Sequence, residues 1–144
     1  MKQYHTSVII EASAAQVWNE LTNFSDYPVW NPIVGKLEGP MNEGSKISTF
    51  IVPLNNTFSP VLCSFKKDRE MAWKGSLVSR FLLQAHHYYS LEEYKHGRTE
   101  LKHGEYFTGL LSYLLPKTLM GSMHEAFKQH NILLKARVER RKPL

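Results

Sequence analysis

Apolar and polar positions alternate from Tyr4 to Glu11. Tyr4, Thr6, Val8 and Ile10 share one face; His5, Ser7, Ile9 and Glu11 share the other. A period of two predicts a strand. The period then changes. Ser13-Ala-Ala-Gln16 has the form of a capping box, in which the serine hydroxyl accepts from the third helical amide and the glutamine reaches back. Ala14, Val17, Trp18 and Leu21 follow on one helical face. Asn23 ends this helix, and Asp26-Tyr-Pro28 predicts a second, short helical turn. Pro32 biases Asn31 toward an extended backbone, where the next strand can start. Residues 39–44 read as a loop, 46–52 as a strand and 53–56 as a hairpin turn. Further strands are predicted at 58–66, 71–76, 81–94 and 98–108, with Lys95-His-Gly97 folding the last two into a hairpin.

After Gly109 the spacing becomes helical. Leu115, Leu119, Met123, Phe127, Leu134 and Val138 fall mainly on one broad face, and Pro116 suits a first turn. A helix over residues 116–140 would be about 37 Å long at 1.5 Å per residue, enough to span a small domain. One strand, two short helices, six strands and one long helix make an α+β arrangement with an antiparallel sheet of about seven strands. Residues 1–144 suit a single domain, since the chain is long enough to bury one core and carries no linker or repeat.

The predicted hairpin aligns a set of polar groups. If its turn centres on His96, paired residue numbers sum to about 192, so His87 faces Glu105, Tyr89 faces His103 and Leu91 faces Leu101. Alternation puts all six on one face together with Phe107. Leu91, Leu101 and Phe107 mark that face as the inner one. His87, His103 and Glu105 then point into an apolar interior, provided the register does not slip by one residue. Two readings stand side by side. The group forms a polar pole that orients a small ligand, or it is a satisfied core pair, His87 to Glu105, that fixes the register. A buried glutamate beside a histidine also has the makings of an acid/base pair. The three groups are the types found in a two-histidine, one-carboxylate iron site, but the local spacing of such a site is missing, so no metal is expected.

Composition narrows the classes. The net charge is +5, and most of it lies in the last ten residues, which hold five Lys and Arg against one Glu. Cations complement the end of a helix, so this tail predicts a solvated helix terminus rather than a nucleic-acid surface. No apolar run reaches the length of a membrane span. Met1 to Thr6 lack the apolar region of a secretion signal, and the single Cys63 fits a reducing compartment; both predict a cytoplasmic protein. Cys63 has no basic partner in sequence and makes a poor nucleophile. Phosphate-cradling glycine loops, Cys-x-x-Cys pairs, nucleophile elbows and dinucleotide fingerprints are all missing, so no cofactor is expected.

The order of elements, with the segments Ala12-Ser-Ala-Ala-Gln-Val-Trp18, Tyr27-Pro-Val-Trp-Asn-Pro32, Met71-Ala-Trp-Lys-Gly75, His87-x-Tyr-x-Leu91 and residues 99–109, resembles the START-like (SRPBCC) superfamily and its polyketide cyclase/dehydrase-like group. The resemblance implies a helix-grip fold, a curved sheet wrapped around the C-terminal helix with a hydrophobic cavity between them. It implies no particular activity, since members range from lipid-transfer domains and hormone receptors to aromatic cyclases. With that fold, Trp73, His87, Tyr89, His103, Glu105, Phe107, Met123 and Phe127 are the candidate ligand-binding residues, and His87 and Glu105 the candidate catalytic ones. Trp30 is expected to anchor the second short helix to the sheet. Phe58 reads as core first and cavity wall second. His86, His124 and His130 are expected at the surface.

The leading reading is a binding protein for a small hydrophobic molecule such as a lipid, a quinone or an aromatic polyketide. The alternative is a cyclase or dehydratase in which the cavity folds a reactive chain and His87 and Glu105 move protons. A protein partner, met by the outer sheet face or the basic helix end, is the third.

Overall fold

The computed structural model describes residues 2–76, 79 and 81–141. Strand β1 (Lys2–Ile10) leads into helix α1 (Ala14–Leu21), whose capping box forms as the sequence predicts: Gln16 N–H donates to Ser13 Oγ, and the Gln16 side chain accepts from Ser13 N–H. A 3₁₀ turn, Phe24–Asp26, and the short helix α2 (Tyr27–Trp30) follow. Asn31 is extended, and its Oδ1 accepts from the amides of Ile33 and Val34, which starts β2 (Val34–Glu38). The remaining strands are β3 (Ser48–Ile51), β4 (Asn56–Phe58), β5 (Val61–Lys66), β6 (Glu70–Ser76), β7 (Gln84–Tyr94) and β8 (Arg98–Thr108). A 3₁₀ segment, Leu110–Leu114, precedes the 25-residue helix α3 (Lys117–Arg141).

The expected α+β helix-grip arrangement is present, with one difference. Among the described residues eight strands form two antiparallel sheets, ordered β1-β8-β7-β6-β5 and β2-β3-β4. The single strand expected over 58–66 breaks at Ser59-Pro60, because proline cannot donate to a ladder. Its first part pairs with β3 and its second with β6. The strand expected from residue 81 begins at Gln84, with Phe81 in a turn. Gly109 ends the sheet at φ +101°, and a Cβ there would lie 2.5 Å from the carbonyl oxygen of Leu82. That close approach is open to glycine alone.

Helix α3 lies across β1 and β8 and against α1. Met123, Phe127, Leu134 and Val138 are buried on its inner face, as the spacing predicts. The basic helix end is not simply solvated. Arg137 donates to Glu20 at 2.7 Å and to Asp26 at 2.8 Å, and Arg141 donates to Glu20 at 3.0 Å. Glu20 is buried, so these charge-assisted bonds tie α1 and its following turn to α3. Lys135 likewise pairs with Glu139 at 2.6 Å. Lys142 lies outside the described residues. No described helix is long and apolar enough to cross a membrane.

Candidate functional site

The site is built on the hairpin of β7 and β8. Tyr94 pairs with Arg98, so Lys95, His96 and Gly97 form a three-residue hairpin loop, with His96 and Gly97 at positive φ, and this sets the register. His87 pairs with Glu105, Tyr89 with His103 and Leu91 with Leu101, as the turn position predicts. All six lie on one face of the hairpin, five of them buried and Glu105 half-buried.

Two layers lie behind this face. The deeper one is a buried polar cluster surrounded by aromatic rings. His103 Nε2 lies 2.9 Å from His87 Nε2, and His103 Nδ1 lies 3.0 Å from Asn131 Oδ1 on α3. His130 Nδ1 reaches the same oxygen at 3.3 Å, and its Nε2 meets the Tyr89 hydroxyl at 3.3 Å. Asn131 Nδ2 donates to Thr6 Oγ1 on β1 at 2.7 Å, and Thr6 donates to the carbonyl of His103 at 2.6 Å. Tyr89 and Phe127 stack on the two faces of His103, with ring centroids 4.1 and 4.2 Å away.

Burial sets the protonation of this layer. It pushes His130 down to about 3. His103 is held well below its usual 6.5, first by burial and then by the charges that His130 and His87 would place beside it. Burial raises the Tyr89 phenol well above its usual 10. Both histidines are therefore neutral and the phenol keeps its proton at neutral pH.

The outer layer is a cavity of about 140 Å³ with three walls. The large sheet supplies Trp73, His87, Glu105 and Phe107; α3 and the segment leading into it supply Leu115, Leu119, Met120 and Met123. The third wall comes from the smaller sheet and its flanks, among them Ile33, Ile51, Leu54 and Phe58. Leu54, Ser59 and Ser76 are exposed and mark the mouth. The walls are mainly apolar, with the Thr49 side chain on the smaller sheet and serines at the mouth, and the large sheet carries a buried polar pole. There His87, stacked on Trp73 at 4.4 Å, brings Nδ1 to 3.8 Å from Glu105 Oε2. The Tyr4 hydroxyl donates to Glu105 Oε1 in a short hydrogen bond. Burial, then the Glu105 charge, raises the Tyr4 phenol above its usual range, so it remains a donor.

Of the eight residues predicted to meet a ligand, Trp73, His87, Glu105, Phe107 and Met123 line this cavity. Tyr89, His103 and Phe127 stand one layer behind it, packed against each other. Phe58 is a wall residue. The sequence reading missed three groups. Tyr4 reaches the pole from β1. His130, expected at the surface, is wholly buried, and Asn131 beside it joins both histidines to Thr6. His86 and His124 are half-buried, stacked on Tyr106 and Tyr4 respectively, rather than free in solvent. Trp30 packs on His130 of α3 at 5.0 Å with the Arg137 guanidinium over its ring, while its helix also lies against β2. The iron-type set does not converge on one point, because His103 Nε2 is bonded to His87. Among the described residues no group of three His, Cys, Asp or Glu is gathered at metal-binding distance.

Over residues 1–130 the sequence matches the family described as polyketide cyclase/dehydrase and lipid transport. No curated protein matches the sequence. A START superfamily protein from Mycobacterium smegmatis has the same fold, with a TM-score of 0.73 at 16% identity over 97% of this chain and 99% of the other. The Zhui aromatase/cyclase from a Streptomyces species matches with a TM-score of 0.70 at 17% identity, covering 97% of this chain and 94% of the other. A hypothetical protein from Helicobacter pylori reaches 0.77 at 15% identity, covering 95% and 88%. At these identities the likeness is one of fold: the START-like helix grip.

Proposed function

The chain belongs to the polyketide cyclase/dehydrase and lipid transport family, and from that premise we propose that it binds a small, largely apolar molecule in the cavity between its sheets and α3. The observation that carries this reading is the cavity itself, with mainly apolar walls and a buried polar pole at His87 and Glu105. A few placed polar groups in an apolar pocket are the usual means of orienting a ligand. Size narrows the class. A cavity of about 150 Å³ accepts a benzene ring, so about 140 Å³ favours a molecule of one or two rings, or a quinone head group, over a two-chain lipid. Met120 and Met123 give the wall some adaptability.

Replacing Met123 with tryptophan fills the space from the α3 side. Native mass spectrometry with a fatty acid, a short-chain quinone and 2-naphthol should give a one-to-one adduct with at least one of them for the wild type. The adduct should weaken about tenfold or more in Met123→Trp, since the ligand loses its room, while circular dichroism stays unchanged. Equal uptake by both proteins would contradict the reading.

One observation favours a second reading, cyclisation or dehydration of a poly-carbonyl substrate. His87 and Glu105 meet at the cavity wall, where a proton can be moved while the walls fold the chain. On that reading Glu105→Gln binds the substrate but turns it over about a hundredfold or more slowly; turnover equal to wild type removes Glu105 from the chemistry.

A further inference from the structure

Three large apolar side chains stand in solvent at the end of the molecule where the cavity opens. In the 3₁₀ segment Leu110–Leu114, Leu110 is 75% exposed, Tyr113 69% and Leu114 74%. Side chains three apart eclipse in such a turn, so Leu110 and Tyr113 share a side and Leu114 follows, while Ser112 between them is buried. The segment is not a frayed end. The amides of Leu110 and Leu111 donate to the carbonyls of Phe81 and Leu82 at 3.2 and 2.8 Å, and Ser112 Oγ donates to that of Gly109 at 2.7 Å. A bonded backbone therefore holds the three side chains away from the core. The first of these bonds also sets Phe81, itself 71% exposed, beside Leu110. Leu115, the next residue, lines the cavity, as does the exposed Leu54 across the mouth. The patch and the mouth are continuous.

Charge divides the molecule along the same axis. Residues 44–67, 71–91 and 106–124 supply most of the cavity's walls, and together they hold six Lys and Arg and none of the 13 Asp and Glu. The sheet register places the two ends. Gln84 pairs with both Ser76 and Thr108, so β6, β7 and β8 share an end beside the exposed segment. There Lys74 and Lys117 are exposed. Glu105 is near the same end, but it lines the cavity and accepts from the Tyr4 hydroxyl. Glu11, Glu92, Glu93 and Glu100 belong to the opposite end, around the loop that joins β7 to β8.

A cluster of exposed apolar side chains marks an interaction surface, and lysines without carboxylates among them fit an anionic one. We propose that this end of the protein docks on an anionic lipid bilayer. Leu110 and Leu114 enter the boundary of the acyl chains, the Tyr113 ring sits at headgroup depth, and Lys74 and Lys117 meet the phosphates. The contact is peripheral, made by a few side chains rather than by a span. It goes beyond the ligand reading and does not need an occupied cavity.

Co-sedimentation of the full chain with sucrose-loaded vesicles tests this. One set is phosphatidylcholine with about a quarter phosphatidylglycerol, the other phosphatidylcholine alone, both at about 0.1 M salt. Binding to the mixed vesicles is expected to be about tenfold or more tighter than to the neutral ones. Leu114→Asp and Tyr113→Ser change exposed positions and should leave circular dichroism unaltered, yet each should weaken that binding about fivefold or more. Ile132→Asp is the control. Ile132 is also exposed, but it lies roughly 22 Å farther along α3 than Lys117, and its loss should change nothing. No binding to either vesicle, equal binding to both, undiminished binding by Leu114→Asp and Tyr113→Ser, or an equal loss in Ile132→Asp would overturn the docking face. A dimer seen by sedimentation equilibrium and broken by the same two variants, without vesicle binding, would overturn it in favour of a second copy of the chain. None of these outcomes decides whether the cavity takes up 2-naphthol, so the two readings fail separately.

Discussion

Lowering the pH from 7 to 5 should remove about 2 kcal/mol of folding stability through His130 alone, and His103 adds to that loss. Both rings are neutral in the fold, because burial holds His103 well below 6.5 and His130 down to about 3. In the unfolded chain each takes up a proton below about pH 6.5. The unfolded state therefore binds more protons across this window, and acid favours it. No loss is expected well above pH 6.5. Below that, the loss grows by about 1.4 kcal/mol per pH unit for each histidine. For His130 it continues until the folded-state value of about 3 is reached. His86, also lowered by burial, pushes the same way. Glu70, held below the ordinary carboxylate range by the Ser64 hydroxyl, adds its own loss only below about pH 4.5. Urea midpoints at pH 7 and 5 measure the effect. His130→Gln removes one of the two groups and should roughly halve the slope, whatever it does to stability at pH 7. A midpoint that does not move between pH 7 and 5 would contradict the neutral cluster.

The second large effect belongs to Asn131. Its amide joins two histidine N–H groups on one side to the Thr6 hydroxyl on the other, and it is almost wholly buried. Asn131→Leu keeps the shape and removes every one of those bonds. The two imidazole N–H groups are left without an acceptor, at about 1–3 kcal/mol each. A total of roughly 2–6 kcal/mol lowers the melting temperature by on the order of 10 °C in a chain of this size. Differential scanning calorimetry at pH 7.5 reads this directly. A shift of only a degree or two would mean that the two histidines find acceptors other than Asn131.

The helical stripe that carries this cluster is present in the sequence, yet its polar members are easy to misplace. Positions 127, 130, 131, 134 and 138 fall on one face at steps of three and four, and all five are buried. His130 reads as a surface residue by type and Asn131 draws no notice, because a polar side chain is buried only when partners meet it. The partners here, Thr6 and His103, come from strands far away in the chain, and no local spacing reveals them. The hairpin was legible for the opposite reason. One tight turn at His96 and Gly97 fixes eleven paired positions, so His87 and Glu105 could be set face to face by counting.

Other features depend on three-dimensional gaps. Alternation placed Tyr89 and Phe107 on the same face, but only the path of α3 decides that Phe107 meets empty space and Tyr89 meets His130. The third wall was hidden because the sheet divides at Ser59-Pro60. Pro60 was the available signal, since proline inside a strand-like run argues for an edge or a break. Tyr4 reaches the pole because β1 pairs with β8 across nearly the whole sequence.

The central claim is that a small apolar molecule enters this cavity. The most direct measurement uses the five methionines. Met120 and Met123 line the cavity, whereas Met71 is packed elsewhere in the core and Met41 lies against its edge. Carbon-13 methionine-methyl spectra recorded during a titration with 2-naphthol report where the aromatic ring goes. The account predicts saturable ring-current shifts at Met120 and Met123 and little change at Met41 and Met71. Shifts confined to Met41 or Met71, or no shift at any methionine at saturating probe, would contradict it.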